Sequence, residues 1–158
     1  MLREGLGRVA VVDLDAHPGD GTYRLEGGNP GVALFDIAGG AWVAVQNSDR
    51  VEYHVARDAA GYRDALERLP GFLDRTRPGL LQYQAGMDPF EDDPVGYIDG
   101  VDAAFLRWRD GFVIGEAARR GIPLVVNLAG GYVAGTSERL HLETIRVMAE
   151  RRRGSDTQ

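Results

Sequence analysis

Short, largely apolar runs that alternate with longer amphipathic stretches constrain the fold of this chain more than any other feature. Strands are predicted over residues 8–13, 80–85 and 122–128. Strands of this kind are typical of a parallel sheet that is covered on both faces. Because helical stretches separate them, the chain is predicted to have an α/β fold, a parallel sheet with helices on both faces.

Three further stretches are less sharply defined. Residues 32–37 and 41–45 are strand-like and flank two glycines, which favours either a hairpin or two successive strands of the sheet. The glycine-rich segment 19–31 is predicted to be a loop. Residues 59–75 have helical apolar spacing, and Pro70 is expected to kink or split that helix.

The C-terminal part of the chain is predicted to be mainly helical. A long helix is expected over 99–120, and Ser137 is expected to cap a final helix that ends near Arg151. We therefore expect one domain over 1–153 and a loose tail over 154–158.

Composition excludes several classes of protein. The 158 residues include no cysteine, which excludes disulfide scaffolds, thiolate zinc sites and iron–sulfur clusters. The net charge of −6 argues against a nucleic-acid partner, whose phosphates require a basic face. No apolar run approaches the roughly 20 residues that span a bilayer, and no signal sequence is recognisable, so we expect a cytoplasmic protein without a membrane partner.

Potential metal ligands follow the first predicted strand. In a parallel sheet, function concentrates at the carboxyl ends of the strands. Asp13, Asp15 and His17 alternate along an extended chain, so their side chains can share a face. Oxygen and nitrogen donors of this kind suit zinc, iron or manganese. The alternative is a turn in which the aspartates bond their own backbone. The strand-end loops are 13–21, 86–93 and 129–135.

The other two strand-end loops supply an aspartate and a phenol. Asp88 is expected at the same sheet edge as Asp15 and His17, and three ligands with one open position are typical of a catalytic metal. Tyr132 follows two glycines, and its hydroxyl can donate to an oxygen that gains charge during a reaction. The alternative is a half-buried tyrosine that covers the sheet edge. The acidic run 91–93 is predicted to be a solvated loop without a chemical role.

Taken together, these segments resemble the zinc-dependent histone deacetylase superfamily, and most closely its bacterial and class IV-type members. The resemblance extends from about residue 8 to residue 148. It implies the three-layer, arginase-like α/β fold, of which this chain matches only the C-terminal half. The segments that carry the resemblance, in the order that the family has them, are 11–17, 19–22, 83–88, 93–96, 109–110, 121–123 and 130–132.

The resemblance implies a function and a role for each site residue. Asp15, His17 and Asp88 would bind Zn²⁺, with Fe²⁺ as the alternative, and Tyr132 would stabilise the oxyanion. Asp13 matches a position that helps to hold a structural monovalent cation, K⁺. The implied reaction is hydrolysis of acetyl or longer acyl groups from amines, with acetyl-lysine or an acetylpolyamine as substrate.

The chain departs from the family pattern in ways that bear on activity. The adjacent histidines that act as general base and acid in the family are absent. His54 and His141 are predicted to be surface or packing histidines. Pro18 follows the metal-binding histidine where relatives often have histidine or glutamine, and Asp36 stands where they often place a serine near the monovalent ion.

These departures leave two functions open. One is a deacetylase-type hydrolase that is incomplete as a single chain. The alternative is a non-catalytic metal-binding or assembly subunit that forms a homo-oligomer or pairs with a separate N-terminal half. A nucleotide-binding protein is disfavoured because no phosphate-binding glycine loop follows the first strand.

Overall fold

A five-stranded parallel sheet forms the centre of the structure, a computed structural model that describes residues 5, 7–41 and 44–155. The strand order is β3-β2-β1-β4-β5. The register places Asp13 opposite Asp36 on one side and opposite Gln84 on the other, so the carboxyl ends of the three central strands lie level. The strands are β1 Val9–Asp13, β2 Val32–Ala38, β3 Val51–Val55, β4 Leu80–Gly86 and β5 Leu124–Ala129.

Helices connect successive strands, as the alternating pattern predicts, except that no helix of the described residues lies between β2 and β3. The helices of the described residues are α1 Asp20–Glu26, α2 Ala59–Leu66, α3 Leu69–Thr76, α4 Ala103–Arg119 and α5 Thr136–Ser155. Among the described residues, no helix is both long enough and apolar enough to cross a membrane.

One face of the sheet, which we call the first face, carries the main core. Ala10 and Val12 of β1 point to this face and are fully buried. Helices α2, α3 and α4 contribute to the same core, and α5 packs against α4. Aromatic contacts join these layers, among them Phe35 with Phe72 at 5.4 Å between ring centroids. This face holds most of the apolar area that drives folding.

The opposite face, the second face, is covered unequally. Tyr23 of α1 packs there on the β1–β2–β3 side of the sheet. The apolar residues around it are Val11, Val32, Leu34, Val45 and Val51. Towards the other edge Gln82 and Gln84 remain partly exposed, and 49% of Val125 is exposed. The prediction of a parallel sheet with helices on both faces is therefore confirmed, and the second face is only partly covered by described residues.

The strand predicted over 41–45 is wrong where it can be checked. Residues 41, 44 and 45 are not in a strand, and residues 42 and 43 lie outside the described residues. The next strand is β3, which runs parallel to β2, so the hairpin alternative is also wrong. Strand β3 was not predicted because it lies at the edge of the sheet, where the polar Glu52 and His54 alternate with apolar residues. The side chains of Glu52 and His54 bond each other at 3.0 Å.

Pro70 splits the helix predicted over 59–75 into α2 and α3. Proline lies in the first turn of α3, where its missing N–H leaves no helical hydrogen bond unmade. Asp58 caps α2 by accepting a hydrogen bond from the backbone N–H of Gly61 at 2.7 Å. Part of the predicted loop 19–31 is helical as well, because α1 occupies its first half.

The ends of the later helices differ slightly from the prediction. Helix α4 begins at Ala103, because Asp102 accepts a hydrogen bond from the N–H of Phe105 and caps it. Helix α5 begins one residue before Ser137, the predicted cap, and extends to Ser155. Of the predicted tail 154–158, residues 156–158 lie outside the described residues.

A fully buried guanidinium ties the sheet to α4. Arg109 Nη1 donates to the carbonyl oxygen of Gly86 at 2.7 Å and to that of Leu14 at 3.2 Å. Its Nε and Nη2 donate to Asp110 Oδ1 at 2.9 and 2.8 Å. Asp110 neutralises the buried cation, and the two carbonyls belong to the ends of β4 and β1.

Two fully buried tyrosines differ in their hydrogen-bond acceptors, and the difference can be tested. Tyr83 donates its hydroxyl proton to Asp110 Oδ1 at 2.6 Å, whereas Tyr62 donates to the neutral carbonyl of Leu14 at 3.2 Å. We expect Tyr83→Phe to lower the free energy of unfolding by about 1.5–3 kcal/mol and Tyr62→Phe by about 0.5–1.5 kcal/mol. Urea titration of both variants measures the difference, and an equal loss in both would contradict it.

Candidate metal centre

Two aspartates shape the loop after β1 by accepting hydrogen bonds from the backbone two residues further on. Asp13 Oδ1 accepts from the N–H of Asp15 at 3.2 Å, and Asp15 Oδ1 accepts from the N–H of His17 at 2.9 Å. These are the bonds that the turn interpretation of this loop requires. They also orient Asp15 and His17 towards β4, so the turn and a metal site are compatible.

Asp88 comes to the same place from the end of β4. Its side chain is fully buried, and its Oδ1 accepts a hydrogen bond from the N–H of Ala16 at 3.1 Å. The preceding residue, Met87, donates its N–H to the carbonyl of Ala129 at 3.0 Å. Asp88 is therefore held between the loop that follows β1 and the loop that follows β5.

The structure brings Asp15, His17 and Asp88 together. His17 Nδ1 lies 3.1 Å from Asp15 Oδ1 and 2.8 Å from Asp88 Oδ2. One donor atom from each residue lies within 4.8 Å of the other two, a separation that a single metal ion can bridge. Two carboxylate oxygens and one imidazole nitrogen form a donor set that suits Zn²⁺ or Fe²⁺. We call these three residues the triad.

Backbone rather than side chains surrounds the triad on several sides. A methyl group added at Gly130 would lie 2.6 Å from both Asp15 Oδ2 and Asp88 Oδ1. One added at Gly86 would lie 2.7 Å from the Cα of Asp15, and one at Gly96 would lie 2.9 Å from Asp88 Oδ2. Glycine at these three positions keeps the space around the donor atoms open, which fits a bound ion.

Burial and close contacts shift the pKa values of Asp88 and His17. Burial, and then the charge of Asp15, raises the pKa of Asp88 to about 7. Burial lowers the pKa of His17, but the hydrogen bonds to Asp15 and Asp88 outweigh that effect and the pKa is raised. Asp88 therefore binds a proton more readily near neutral pH than an ordinary carboxyl does, and a divalent ion would displace that proton.

Asp13 does not join the triad but forms a pair with Asp36 on the second face. The two residues are directly opposite in the β1–β2 register. Asp36 Oδ2 accepts from the N–H of Gly19 at 2.7 Å, while Asp36 Oδ1 is buried without a hydrogen-bond partner among the described residues. Both residues line a cavity of about 20 Å³, enough for one water molecule or a small ion.

Tyr132 lies at the third strand-end loop, beside the triad. Gly130 and Gly131 have φ of +53° and +107°, which favour glycine and turn the chain sharply. Tyr132 is 55% exposed, so it is about half-buried at this edge of the sheet. Partial burial, and then the negative charges of Asp88 and Asp15, raises the pKa of the phenol, which indicates that it lies within electrostatic reach of the triad.

The remaining histidines lie outside the triad. His54 packs its ring against Phe35, with 5.4 Å between centroids, as expected for a packing histidine. His141 projects from α5, and its Nε2 lies 3.3 Å from the carbonyl oxygen of Gly130. His141 therefore supports the loop that carries Tyr132, a contact that its position on a helix did not reveal.

The expectation that residues 91–93 form a solvated loop is wrong for Asp93. Glu91 and Asp92 are exposed, but Asp93 is only 2% exposed. Its carboxylate accepts hydrogen bonds from three backbone N–H groups, including that of Tyr132 at 2.7 Å. The proline and glycine that follow, in Asp93-Pro94-Val95-Gly96, were the available sign of a structured turn at this aspartate.

The open space around the triad can be tested with one glycine. We expect Gly130→Ala to weaken Zn²⁺ binding about 10–100-fold, the range found when groups around metal ligands are changed. Gly121→Ala is the matched control, because its φ of +63° imposes similar backbone strain while nothing lies within 4 Å of the added methyl group. Isothermal titration of metal-free protein measures both affinities, and equal weakening in the two variants would contradict the prediction.

The Asp13–Asp36 pair predicts a pH dependence. Burial raises the pKa of Asp13 to about 7 and that of Asp36 to about 8, from 3.8. Between pH 4 and pH 8 the folded protein therefore keeps protons that the unfolded chain releases, so stability falls as pH rises. We expect Asp36→Asn to stabilise the protein at pH 8 by on the order of 1–3 kcal/mol, and to have little effect at pH 4.

Thermal unfolding in chelator and a tetramethylammonium buffer excludes competing cations from this measurement. Asp49→Asn, an exposed aspartate after β2, is the control. If the stability of Asp36→Asn falls with pH as steeply as that of the wild type, the pH dependence arises from other groups.

Known proteins of one family resemble this chain in sequence and in fold. Residues 1–148 match the histone deacetylase domain family. The chain is 29% identical over 151 residues to histone deacetylase 2 of Arabidopsis thaliana, covering 86% of this chain and 37% of that protein. It matches the crystal structure of acetylpolyamine aminohydrolase from Burkholderia pseudomallei with a TM-score of 0.75 and 21% identity, over 90% of this chain and 45% of that one.

A second solved structure, the HDA15 HD domain, gives the same TM-score of 0.75 at 21% identity, and 91% of this chain covers 45% of it. The chain thus spans less than half the length of these relatives. The match to the family extends over nearly all of the sequence, and the arginase/deacetylase-like α/β fold accompanies it. On these grounds the chain belongs to the histone deacetylase family.

Proposed function

We propose that this chain is the metal-binding part of a zinc-dependent hydrolase that removes acetyl or acyl groups from amines. The observation that supports the proposal most strongly is the convergence of Asp15, His17 and Asp88 beside an exposed tyrosine. The family is one of deacetylases, and one of the similar structures is an acetylpolyamine aminohydrolase. An acetylated amine, either acetyl-lysine or an acetylpolyamine, is therefore the proposed substrate.

Asp15, His17 and Asp88 would hold the metal, with Zn²⁺ as our proposal and Fe²⁺ as the alternative. When bound, such an ion polarises the amide carbonyl and lowers the pKa of water. The chain's own residues prepare the site for it. The buried Asp88 and its neighbour Asp15 supply negative charge, and the hydrogen bonds to His17 fix the ring so that Nδ1 faces both carboxylates.

Tyr132 would supply the second stabilising group. A phenol keeps its proton at neutral pH, and the raised pKa of Tyr132 reinforces this, so the hydroxyl can donate a hydrogen bond. A donor placed at the developing oxyanion contributes most when it is already oriented. Tyr132 is attached to a loop that contacts the triad through Gly130, so the donor and the metal ligands belong to one compact unit.

Within the described part of the chain, no second histidine joins the triad to accept the proton of the attacking water. The three histidines of the chain are His17, His54 and His141; His54 bonds Glu52, and His141 Nε2 lies at the carbonyl oxygen of Gly130. Loss of positioned acid–base help costs about 10²–10⁴-fold in rate. We therefore propose that efficient turnover needs residues supplied by a further segment, in the same polypeptide or in another.

The edge of the sheet at β5 supports this partner proposal. Strand β5 reads Leu124-Val125-Val126-Asn127-Leu128-Ala129 and carries no charge. Val125 and Leu128 are 49% and 48% exposed. Proteins normally protect an edge strand with charges or cover it, because its free backbone groups pair readily with another strand. The opposite edge, β3, carries Glu52 and His54.

We propose that the β5 edge receives the part of the family domain that this chain does not contain. The relatives are more than twice as long as their matched region, so they include enough chain to cover it. If the complementary part is absent altogether, the second candidate function applies, a non-catalytic metal-binding or assembly subunit, including a homo-oligomer that pairs through β5. The cytoplasmic location stays a prediction.

K⁺ is the proposed occupant of the Asp13–Asp36 pair. The buried, unpartnered Asp36 Oδ1 and the nearby cavity support a cation at this place. Bound K⁺ would neutralise charge that the buried pair otherwise holds as protons. The domain boundaries, 1–153, are proposed on the same basis as the family match, which ends at residue 148.

Zinc content and hydrolysis together test the proposed function. We expect one Zn²⁺ per chain and slow, zinc-dependent hydrolysis of a fluorogenic acetyl-lysine substrate, because the metal site is present and the general base is not. Asp88→Ala is expected to abolish both, since it removes a fully buried ligand. Asp92→Ala, an exposed aspartate on the same loop, is the control and should retain both.

Two results would decide against the proposal. Protein that takes up no zinc would defeat the metal-centre assignment. Protein that binds zinc but shows no hydrolysis, even at the highest usable enzyme concentration, would favour the non-catalytic alternative, and light scattering would then show whether it self-associates.

A further inference from the structure

Asp93 occupies an unusual position between two loops of the candidate site. Its Oδ1 accepts hydrogen bonds from the N–H groups of Val95 and Gly96 at 2.9 and 3.1 Å. Its Oδ2 accepts one from the N–H of Tyr132 at 2.7 Å, across 39 positions of sequence. The carboxylate is 2% exposed. Bonds from N–H groups to a buried carboxylate are about twice as strong as neutral ones.

Both loops that Asp93 joins touch the triad. Gly96 lies so close to Asp88 that an added methyl group would be 2.9 Å from Asp88 Oδ2. Gly130, two residues before Tyr132, makes a comparable close approach to Asp15 and Asp88. Asp93 therefore connects one wall of the metal centre with the loop that carries the phenol.

The Tyr132 loop is also held on either side of Tyr132, by His141 at the carbonyl of Gly130 and by Ser137 at Val133, so the bond to Asp93 is the restraint at Tyr132 itself. Gly130 and Gly131 both adopt positive φ, so the backbone does not continue β5. After them, Tyr132 donates its N–H to Asp93, and Val133 donates its N–H to Ser137 Oγ at 3.1 Å. A shift of the Tyr132 backbone would move the phenol with it, and Tyr132 is 55% exposed.

We propose that Asp93 is a positioning residue that holds Tyr132 in place beside the triad. The inference rests on the proposed function, in which the Tyr132 hydroxyl stabilises a negatively charged oxygen. Asp93 itself touches neither substrate nor metal. It acts by fixing the backbone N–H of Tyr132, so its effect on ligand binding passes through the phenol.

Asp93→Asn isolates this contact. The asparagine carbonyl can take the place of Oδ1 and keep the bonds from Val95 and Gly96. Its amide nitrogen then replaces Oδ2 and faces the N–H of Tyr132. Because both groups are donors, no hydrogen bond forms between them. The turn next to Asp88 is retained, and the link to Tyr132 is broken. Asp92→Asn is the matched control, because Asp92 is the exposed neighbour on the same loop.

A double-mutant cycle on ligand binding tests the proposal without turnover. Each variant is loaded with Co²⁺ and titrated with acetohydroxamate, whose oxygens bear negative charge, and the visible absorption of Co²⁺ reports binding. We expect Tyr132→Phe to weaken acetohydroxamate binding about 10–100-fold, which is the change in affinity that corresponds to the loss of one hydrogen bond to a charged group. Asp93→Asn should weaken it at least several-fold, and the double variant should match Tyr132→Phe. Affinity for Co²⁺ itself should stay within about threefold of wild type in Asp93→Asn.

Each other outcome has a definite meaning. Additive effects, or an Asp93→Asn variant with wild-type acetohydroxamate affinity while Tyr132→Phe binds weakly, overturn the proposal and leave the proposed function standing. A Tyr132→Phe variant with unchanged affinity removes the role of Tyr132 and this proposal with it. Parallel loss of Co²⁺ and acetohydroxamate binding in Asp93→Asn assigns Asp93 to the metal centre instead.

A measurement on the wild-type protein covers the case in which Asp93→Asn does not fold. The N–H of Tyr132 is expected to exchange with solvent deuterium at least about 100-fold more slowly than an unprotected amide, although its side chain is exposed. Exchange at the unprotected rate, followed by NMR on the Co²⁺-free protein, would show that the bond to Asp93 does not hold the loop.

Discussion

The buried guanidinium of Arg109 is the interaction on which the rest of the site depends. It donates to the carbonyl oxygen of Leu14, which directly precedes Asp15, and to that of Gly86, which lies two residues before Asp88. Parallel strands alone bring two loops to one edge of the sheet, but they do not fix the distance between those loops. Arg109 restrains that distance because it bonds both loops at once. Asp110 supplies the negative charge that allows the guanidinium of Arg109 to be fully buried.

The central part of this arrangement could be predicted from sequence because it follows from a general rule. Once β1 and β4 are recognised as parallel strands, Asp15 and Asp88 must leave the same edge. Alternation along 13–17 groups His17 with Asp15 correctly, but it is wrong for Asp13, which pairs with Asp36 instead. The two glycines before Tyr132 similarly indicate a sharp turn. These features depend on local patterns and on strand direction, both of which are visible in the residues.

The parts that the sequence did not reveal depend on tertiary contacts. Strand β3 carries alternating polar residues because it lies at an edge, so its apolar pattern is weak. Asp93 resembles its exposed neighbours in sequence, and only the fold places its carboxylate against the N–H of Tyr132. His141 reaches Gly130 across a helix–loop contact that no spacing rule anticipates.

The uncharged edge at β5 links assembly and chemistry. A strand that joined β5 in parallel would lie about 4.8 Å away and would end at the same level. The loop that followed it would then emerge beside Gly130 and Tyr132. Sheet extension would thus deliver new side chains to the metal centre in a single association step. Were those residues carried on a separate polypeptide, the rate of the proposed hydrolysis would rise and saturate with the concentration of that polypeptide.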